Sequence, residues 1–182
     1  MKDIKFYNET LGKHINFDEV VEEIINYVHH DSESEYKITV GTDSQGSNHT
    51  HFVTAIAVLR VGNGGRYFWT KSERKFCPTL RDRIYKEALL SITMTQELRS
   101  KLKDKLGEDL FWPARNATLQ QLRSCGRVAG GDDKISVHID VGRRGATRDF
   151  VDTVVGMVKG YGLEAVIKPD AFGAFVLADR HV

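Results

Sequence analysis

Four acidic residues lie where carboxylates from separate elements could converge on a divalent metal ion. These residues are Asp43, Glu87, Asp140 and Asp170. Asp43 and Asp140 each end an apolar run, whereas Glu87 lies two turns into a long helical pattern. Crowded carboxylates repel one another unless a cation neutralises them, and hard oxygen ligands suit Mg²⁺ or Mn²⁺. Two such ions roughly 3.5–4 Å apart can activate water and stabilise the leaving oxygen of a phosphodiester. The acids therefore predict metal-dependent phosphodiester chemistry.

Each acid taken alone also has an ordinary structural explanation. An aspartate after a strand is often a turn former or a helix cap, and Asp170 after Pro169 suits a cap. Glu87 could be a surface residue of its helix. The prediction of a metal site rests on the joint placement of the acids along the chain.

Several polar residues near these acids are candidates for contact with a substrate. Ser44 and Gln45 follow Asp43 and could contact a sugar or a phosphate, or they could serve the backbone of a tight loop. His138 precedes Asp140 by two residues, so both face the same way on a strand, although a structural histidine explains it as well. The last candidates are Arg143 and Arg144, which precede a predicted helix start, where anions bind readily; solvated arginines of a flexible turn are the alternative.

The elements that must position these residues follow from the periodicity of apolar side chains. An N-terminal helix capped by Asn16 precedes three strand-like runs joined by short connections, which predict an antiparallel meander. The chain then predicts a long helix, a strand, a helix, a short strand and a final helix. The order β-β-β-α-β-α-β-α with right-handed crossovers predicts a mixed five-stranded sheet of ribonuclease H-like architecture, with an extra N-terminal helix. The predicted ranges are 36–43, 51–61, 66–72, 134–141 and 164–168 for the strands and 79–105, 147–160 and 170–179 for the helices.

Length and composition favour one globular α/β domain over residues 1–182, with a helical extension at 1–33 and an irregular insertion at 106–133. The 41% hydrophobic and 28% charged fractions argue against long disordered stretches. There is no apolar run near the ~18 residues of a membrane span, and no signal peptide is recognisable at the start. Cys77 and Cys125 match neither a metal motif nor a disulfide framework, so we expect reduced thiols in a cytoplasmic protein with no membrane partner. The net charge of +1 does not by itself indicate nucleic-acid binding.

The chain resembles the YkuK-like family of small bacterial proteins, which is assigned to the ribonuclease H-like superfamily. The motifs that carry the resemblance lie at 36–45, 52–56, 64–68, 138–142, 155–158 and 167–170. The resemblance implies the fold and, by analogy within the superfamily, metal-dependent phosphodiester chemistry. It implies that Asp43, Glu87 and Asp140 match the acids of the first strand, the long helix and the fourth strand. The last acid stays open between Asp170, which opens the final predicted helix, and Asp179 further along it.

Three functions are compatible with these observations. The first is a nuclease that uses Mg²⁺ or Mn²⁺ to cleave RNA, an RNA–DNA hybrid or structured DNA, with nucleic acid as its partner. The second is a non-catalytic module on the same fold that binds nucleic acid or protein. The third takes 41–43 as a phosphate loop of the sugar-kinase and actin type. Those proteins need two such domains around a nucleotide, and 182 residues are too few.

Overall fold

The computed structural model describes residues 4–31, 34–46, 48–106, 135–171 and 173–182. The strands in this part of the chain are β1 (Lys5–Asn8), β2 (Lys13–Asn16), β3 (Tyr36–Gln45), β4 (Asn48–Arg60), β5 (Gly65–Lys71), β6 (Lys75–Cys77), β7 (Ile135–Ile139) and β8 (Glu164–Ile167). The helices are α1 (Phe17–His29), α2 (Leu80–Leu106), α3 (Val151–Gly160) and α4 (Gly173–Asp179), and a 3₁₀ turn at Arg148–Phe150 leads into α3.

The sheet is mixed, as the sequence predicts, and its strand order is β2-β1-β5-β4-β3-β7-β8. Strand β3 pairs antiparallel with β4 and parallel with β7, and β7 pairs parallel with β8. The predicted count of five strands was wrong, because the described residues form an eight-stranded sheet. The hairpin β1-β2 extends the sheet beside β5, and β6 pairs with the first residues of β4.

The additional strands are too short for their apolar pattern to identify them. β1 and β2 have four residues each, and their core contacts come mainly from Phe6 and Ile15. Asn8 is buried at the end of β1, where its side chain donates to the Tyr67 carbonyl at 2.8 Å and accepts from the Leu11 N–H at 2.8 Å. Among the described residues of the predicted helical extension at 1–33, the hairpin β1-β2 precedes α1.

Helix α1 begins where the sequence predicts because a capping box fixes its first turn. The Glu19 N–H donates to Asn16 Oδ1 at 3.0 Å, and the Asn16 N–H donates to Glu19 Oε2 at 2.7 Å. These two bonds satisfy backbone donors that the helix itself leaves free. The apolar stripe of the helix is buried: Phe17, Val20, Val21, Ile24 and Ile25.

Helices cover both faces of the sheet. Alternate residues of β3, including Ile38 and Val40, pack against α1 and the second half of α2. Residues of β7 pack against the first half of α2 and against α3 on the same face. Helix α4 covers the opposite face, where Ala178 packs with Val53 and Ala55 of β4. The core therefore has two layers, and the two faces of β3 see different helices.

The remaining boundaries differ from prediction mainly at helix starts. Helix α4 begins at Gly173, three residues after the predicted start at 170. Helix α3 begins at Val151, four residues after the predicted start at 147; the Thr147 hydroxyl oxygen accepts from the Gly142 N–H at 3.2 Å and closes the preceding turn. The predicted irregular insertion at 106–133 lies outside the described residues except for Leu106. No helix in the described part of the chain is long and apolar enough to cross a membrane.

Candidate functional site

Asp43 and Asp140 lie beside each other at the carboxyl edge of two parallel strands. In the register of β3 and β7, Gly41 is paired with His138. Asp43 and Asp140 each lie two residues further along the chain, Asp140 directly after the end of β7, so both carboxylates emerge at the same edge. Open α/β sheets bind their ligands at such edges.

Asp179 approaches this pair from α4, on the face that Asp43 occupies. Burial raises the pKa of Asp43 to about 6, and the charges of Asp140 and Asp179 and a side-chain hydrogen bond with Asp179 act in the same direction. The Ser44 N–H opposes this rise by hydrogen bonding to the Asp43 carboxylate. A carboxyl group held this way is a poor anion until a cation or a proton relieves the repulsion.

Glu87 reaches the same edge from α2, on the other face of the sheet. Its side chain is buried, and its Oε1 accepts a hydrogen bond of 2.5 Å from the Ser44 hydroxyl. Burial raises the pKa of Glu87 to about 8; Asp43 and Asp140 add to the rise, whereas Ser44 and Arg83 oppose it. Glu87 is therefore electrostatically coupled to Asp43 and Asp140, although it reaches the edge from the opposite face of the sheet.

A chain of buried hydroxyl groups, which the sequence did not reveal, fixes α2 against β3. The Thr42 Oγ1 lies 2.9 Å from Thr54 Oγ1 and 2.9 Å from Ser91 Oγ. Ser91 Oγ also lies 2.9 Å from the Glu87 carbonyl, one helical turn before it. Serine and threonine at 42, 54 and 91 carry no periodic signal, so only the packing of α2 on the sheet brings them together.

Lys168 is another residue of the site that could not be identified from sequence patterns. Its ammonium group lies 2.5 Å from Asp140 Oδ1, an oxygen that is buried. Lys168 follows β8, and its N–H donates to the Val141 carbonyl at 3.0 Å, which ties the ends of β7 and β8 together. Gly142 leaves room for Lys168 here, because a Cβ at position 142 would make a tight contact of 3.3 Å with Lys168 Cβ. One cation of the protein itself therefore already compensates Asp140.

The other predicted residues lie in two environments. His138 is buried, and its burial lowers its pKa to about 4, so the ring is neutral at ordinary pH. In contrast, Gln45, Arg143, Arg144 and Asp170 are exposed at or near the carboxyl edge. Asp170 lies in the turn after β8, where its N–H donates to the Ile167 carbonyl at 3.0 Å. Of the two acids left open by the sequence, Asp179 is therefore the one that acts on Asp43.

The carboxylate oxygens of the site are suitable ligands for a hard divalent cation, but the acids are not gathered around one point in this structure. Asp43, Asp140 and Asp179 offer carboxylate oxygens at this edge, and Glu87 offers its own from α2. Burial is the main cause of the raised pKa of Asp43, and the like charges of Asp140 and Asp179 add to it; a bound cation would relieve that repulsion. Across the described residues, no three His, Cys, Asp or Glu side chains lie close enough together to hold a metal ion.

Comparison with known proteins places this geometry in a family context. Residues 19–182 match the family model described as ribonuclease H-like. The chain is 32% identical over 179 residues to the uncharacterized protein YkuK of Bacillus subtilis strain 168, an alignment that covers 96% of this chain and 95% of the relative. No solved structure matches the chain significantly.

Proposed function

The chain belongs to the ribonuclease H-like family, and from this premise we propose that it is a divalent-metal-dependent nuclease. Its substrates would be RNA, an RNA–DNA hybrid or structured DNA, and its cofactor Mg²⁺ or Mn²⁺. The observation that carries the proposal is that Asp140 and Asp179 both act electrostatically on Asp43 at one sheet edge. Burial and like charges raise the pKa of Asp43 to about 6 there.

Each acid has a distinct part in this proposal. Asp43 and Asp140 would hold the metal from the two central strands, and Asp179 would complete the set from α4. Glu87 would contribute from α2, where the Ser44 hydroxyl fixes its carboxyl group. When bound, the metal supplies an activated water and stabilises the leaving oxygen of the phosphodiester.

The cationic side chains at the edge would receive the substrate phosphates. Arg143 and Arg144 are exposed in the turn after Asp140. Lys168 neutralises Asp140 and lies close enough to the acids to attract a phosphate oxygen as well. The metal and the cationic side chains together would thus balance the negative charge of the acids and of the substrate phosphates.

The proposal is tested by metal binding and cleavage in matched aspartate variants. We expect wild type to bind Mn²⁺ in calorimetry and to cleave at least one of labelled RNA, RNA–DNA hybrid or branched DNA. Asp43→Asn and Asp179→Asn should each abolish cleavage and weaken Mn²⁺ binding, because each removes a carboxylate from the converging set. The folded state of every variant is checked by circular dichroism.

Asp170→Asn is the matched control, since it makes the same chemical change at an exposed acid near the same edge. It should bind Mn²⁺ and cleave as wild type does. Equal cleavage by Asp43→Asn and wild type would refute the site. Loss of cleavage in Asp170→Asn but not in Asp179→Asn would move the fourth acid to Asp170.

One observation favours a second candidate, a binding module that keeps the fold without turnover. The acids of the described residues are not assembled into a metal site, and Lys168 already compensates Asp140. Such a module would bind nucleic acid or protein in the presence of a chelator and would cleave no substrate with either metal. The same cleavage screen therefore separates the two functions.

A further inference from the structure

The most exposed large apolar side chain in the described part of the molecule is Phe76, at 63%. It lies on β6 and points outward, whereas the next residue, Cys77, is buried. Its ring is 5.1 Å from the ring of His49 on the paired strand β4. Isolated exposed apolar residues are common and need no explanation, so the surroundings of Phe76 decide its meaning.

Phe76 borders a groove of about 930 Å³ between β6, the first turns of α2 and α3. Pro78, Leu89 and Met157 supply apolar walls, and Leu89 is itself 44% exposed. The groove also contains Tyr85, and the Arg81 guanidinium lies 5.5 Å from the centre of the Tyr85 ring. The surface thus offers exposed flat and apolar groups together with fixed positive charge.

The segment that contains most of the groove residues is strongly basic in a nearly neutral chain, and its members Arg81 and Lys86 line the groove together with the acidic Asp82. Residues 71–86 contain six basic and two acidic side chains, a net charge of +4, whereas the whole chain carries +1. Five of the basic side chains are exposed: Lys71, Arg74, Lys75, Arg81 and Lys86. An occupant with regularly spaced negative charges and flat apolar groups would match this combination.

The groove is joined to the acidic edge by two short connections. β6 pairs with the first residues of β4, directly after the turn that leaves β3. The Arg83 guanidinium donates to the carbonyls of Ser44 and Gly46 at 3.4 and 3.0 Å, which holds the start of α2 against that turn. Glu87 follows one turn later on the same helix.

We propose that Phe76 and the adjoining basic groove bind an unpaired segment of nucleic acid next to the acidic edge. Phe76 stacks on a base, and Arg81 and Lys86 of the groove contact the phosphates. A single strand is the form that fits, because an exposed ring can stack only on a base that is not already covered by its neighbours. The proposal rests on the proposed nucleic-acid function and adds to it a preference for substrates with an unpaired stretch.

Binding in a chelator tests this surface independently of cleavage. The probes are fluorescein-labelled single-stranded oligothymidylate and oligouridylate of about twelve nucleotides, with a blunt duplex of equal length for comparison. We expect wild type to bind the single strands more tightly than the duplex in fluorescence anisotropy. Phe76→Ala should weaken single-strand binding about 10-fold, since base–aromatic stacking is worth roughly 1–3 kcal/mol. Phe76→Trp should restore it.

Tyr161→Ala is the matched control, because Tyr161 is also an exposed aromatic residue but lies at the end of α3. Its affinity should equal that of wild type. Equal affinity of Phe76→Ala and wild type would overturn the proposal. So would unchanged affinity combined with a loss of self-association in Phe76→Ala, measured by ultracentrifugation, which would identify an interface between copies of the chain. Chelator-resistant binding that needs Phe76 would stand even if no substrate were cleaved, so the two proposals fail separately.

Discussion

The pKa of Glu87 is raised further above its ordinary value than that of Asp43, the other acid of the candidate site with a raised pKa. Glu87 is 7% exposed, its carboxyl group feels the charges of Asp43 and Asp140, and it accepts one hydrogen bond from Ser44. With a pKa of about 8 it retains its proton at neutral pH in the absence of metal. The contribution of Glu87 to the free energy of unfolding therefore falls as the pH rises, whereas a carboxylate whose pKa is lowered on folding contributes more as the pH rises.

We expect Glu87→Gln to remove a pH-dependent loss of stability. Below about pH 4.5 both the folded and the unfolded chain hold the proton. As the pH rises to about 8, only the unfolded chain releases it readily, so the free energy of unfolding of wild type falls across this window. A difference of one between the two pKa values corresponds to about 1.4 kcal/mol. Urea unfolding at pH 5 and pH 8.5 in a chelator should show a smaller decline for Glu87→Gln.

Glu97→Gln is the control for this measurement, since Glu97 is an exposed acid on the same helix. Its stability should follow that of wild type at both pH values. A parallel decline in Glu87→Gln and wild type would show that Glu87 is ionised in the folded chain at neutral pH.

The residues of the site differ in how far the sequence could predict them. Asp43 and Asp140 end apolar runs, and parallel strands bring such ends together by geometry alone. The choice between Asp170 and Asp179 depends on the start of α4, which lies three residues later than predicted. Lys168 could not be chosen, because its contact with Asp140 exists only when β7 and β8 are neighbours.

At the level of elements, the central strands and the long helix were predictable, whereas the edges of the sheet were not. β3 and β4 have ten and thirteen residues with many buried apolar side chains, which is a strong signal. β6 has three residues, and two of them are exposed, so no alternation marks it as a strand. It is nevertheless the element that places Phe76 beside the groove. Short edge strands depend on a partner strand, which local sequence does not specify.

The docking of α2 on β3 through buried hydroxyls leads to a prediction about this pair of elements. Thr42→Val keeps the shape of the side chain but removes the oxygen that lies 2.9 Å from both Thr54 and Ser91. We expect a loss of about 1–3 kcal/mol in the free energy of unfolding, because buried polar groups lose a partner. Equilibrium denaturation in urea measures this change.

Thr93→Val is the matched control on the same helix. Thr93 is exposed, and its hydroxyl donates to the Leu89 carbonyl at 2.8 Å within the helix. Its substitution should change stability by less than about 0.5 kcal/mol. Equal effects of the two substitutions would show that the buried hydroxyl chain does not hold α2 in place.

Over the whole molecule, the small net charge is the sum of one basic segment and an acidic remainder. The basic segment at 71–86 carries +4, so the remainder of the chain carries a net −3. Total charge therefore conceals a surface suited to polyanions, and the composition alone gave no reason to expect one. Under the proposed function, such an arrangement would attract a nucleic acid to the basic segment.

The separation of charge predicts how salt affects oligonucleotide binding. Each phosphate contact with a single strand contributes ~0.7 to the slope of log affinity against log salt concentration. Lys86→Ala removes one basic side chain from the groove and should lower this slope by about 0.7 in anisotropy titrations between roughly 50 and 200 mM salt. Lys159→Ala removes an exposed lysine at the end of α3 and should leave the slope unchanged. Equal slopes for Lys86→Ala and wild type would show that the phosphates do not contact the groove. The strand would then not reach the acidic edge along this surface.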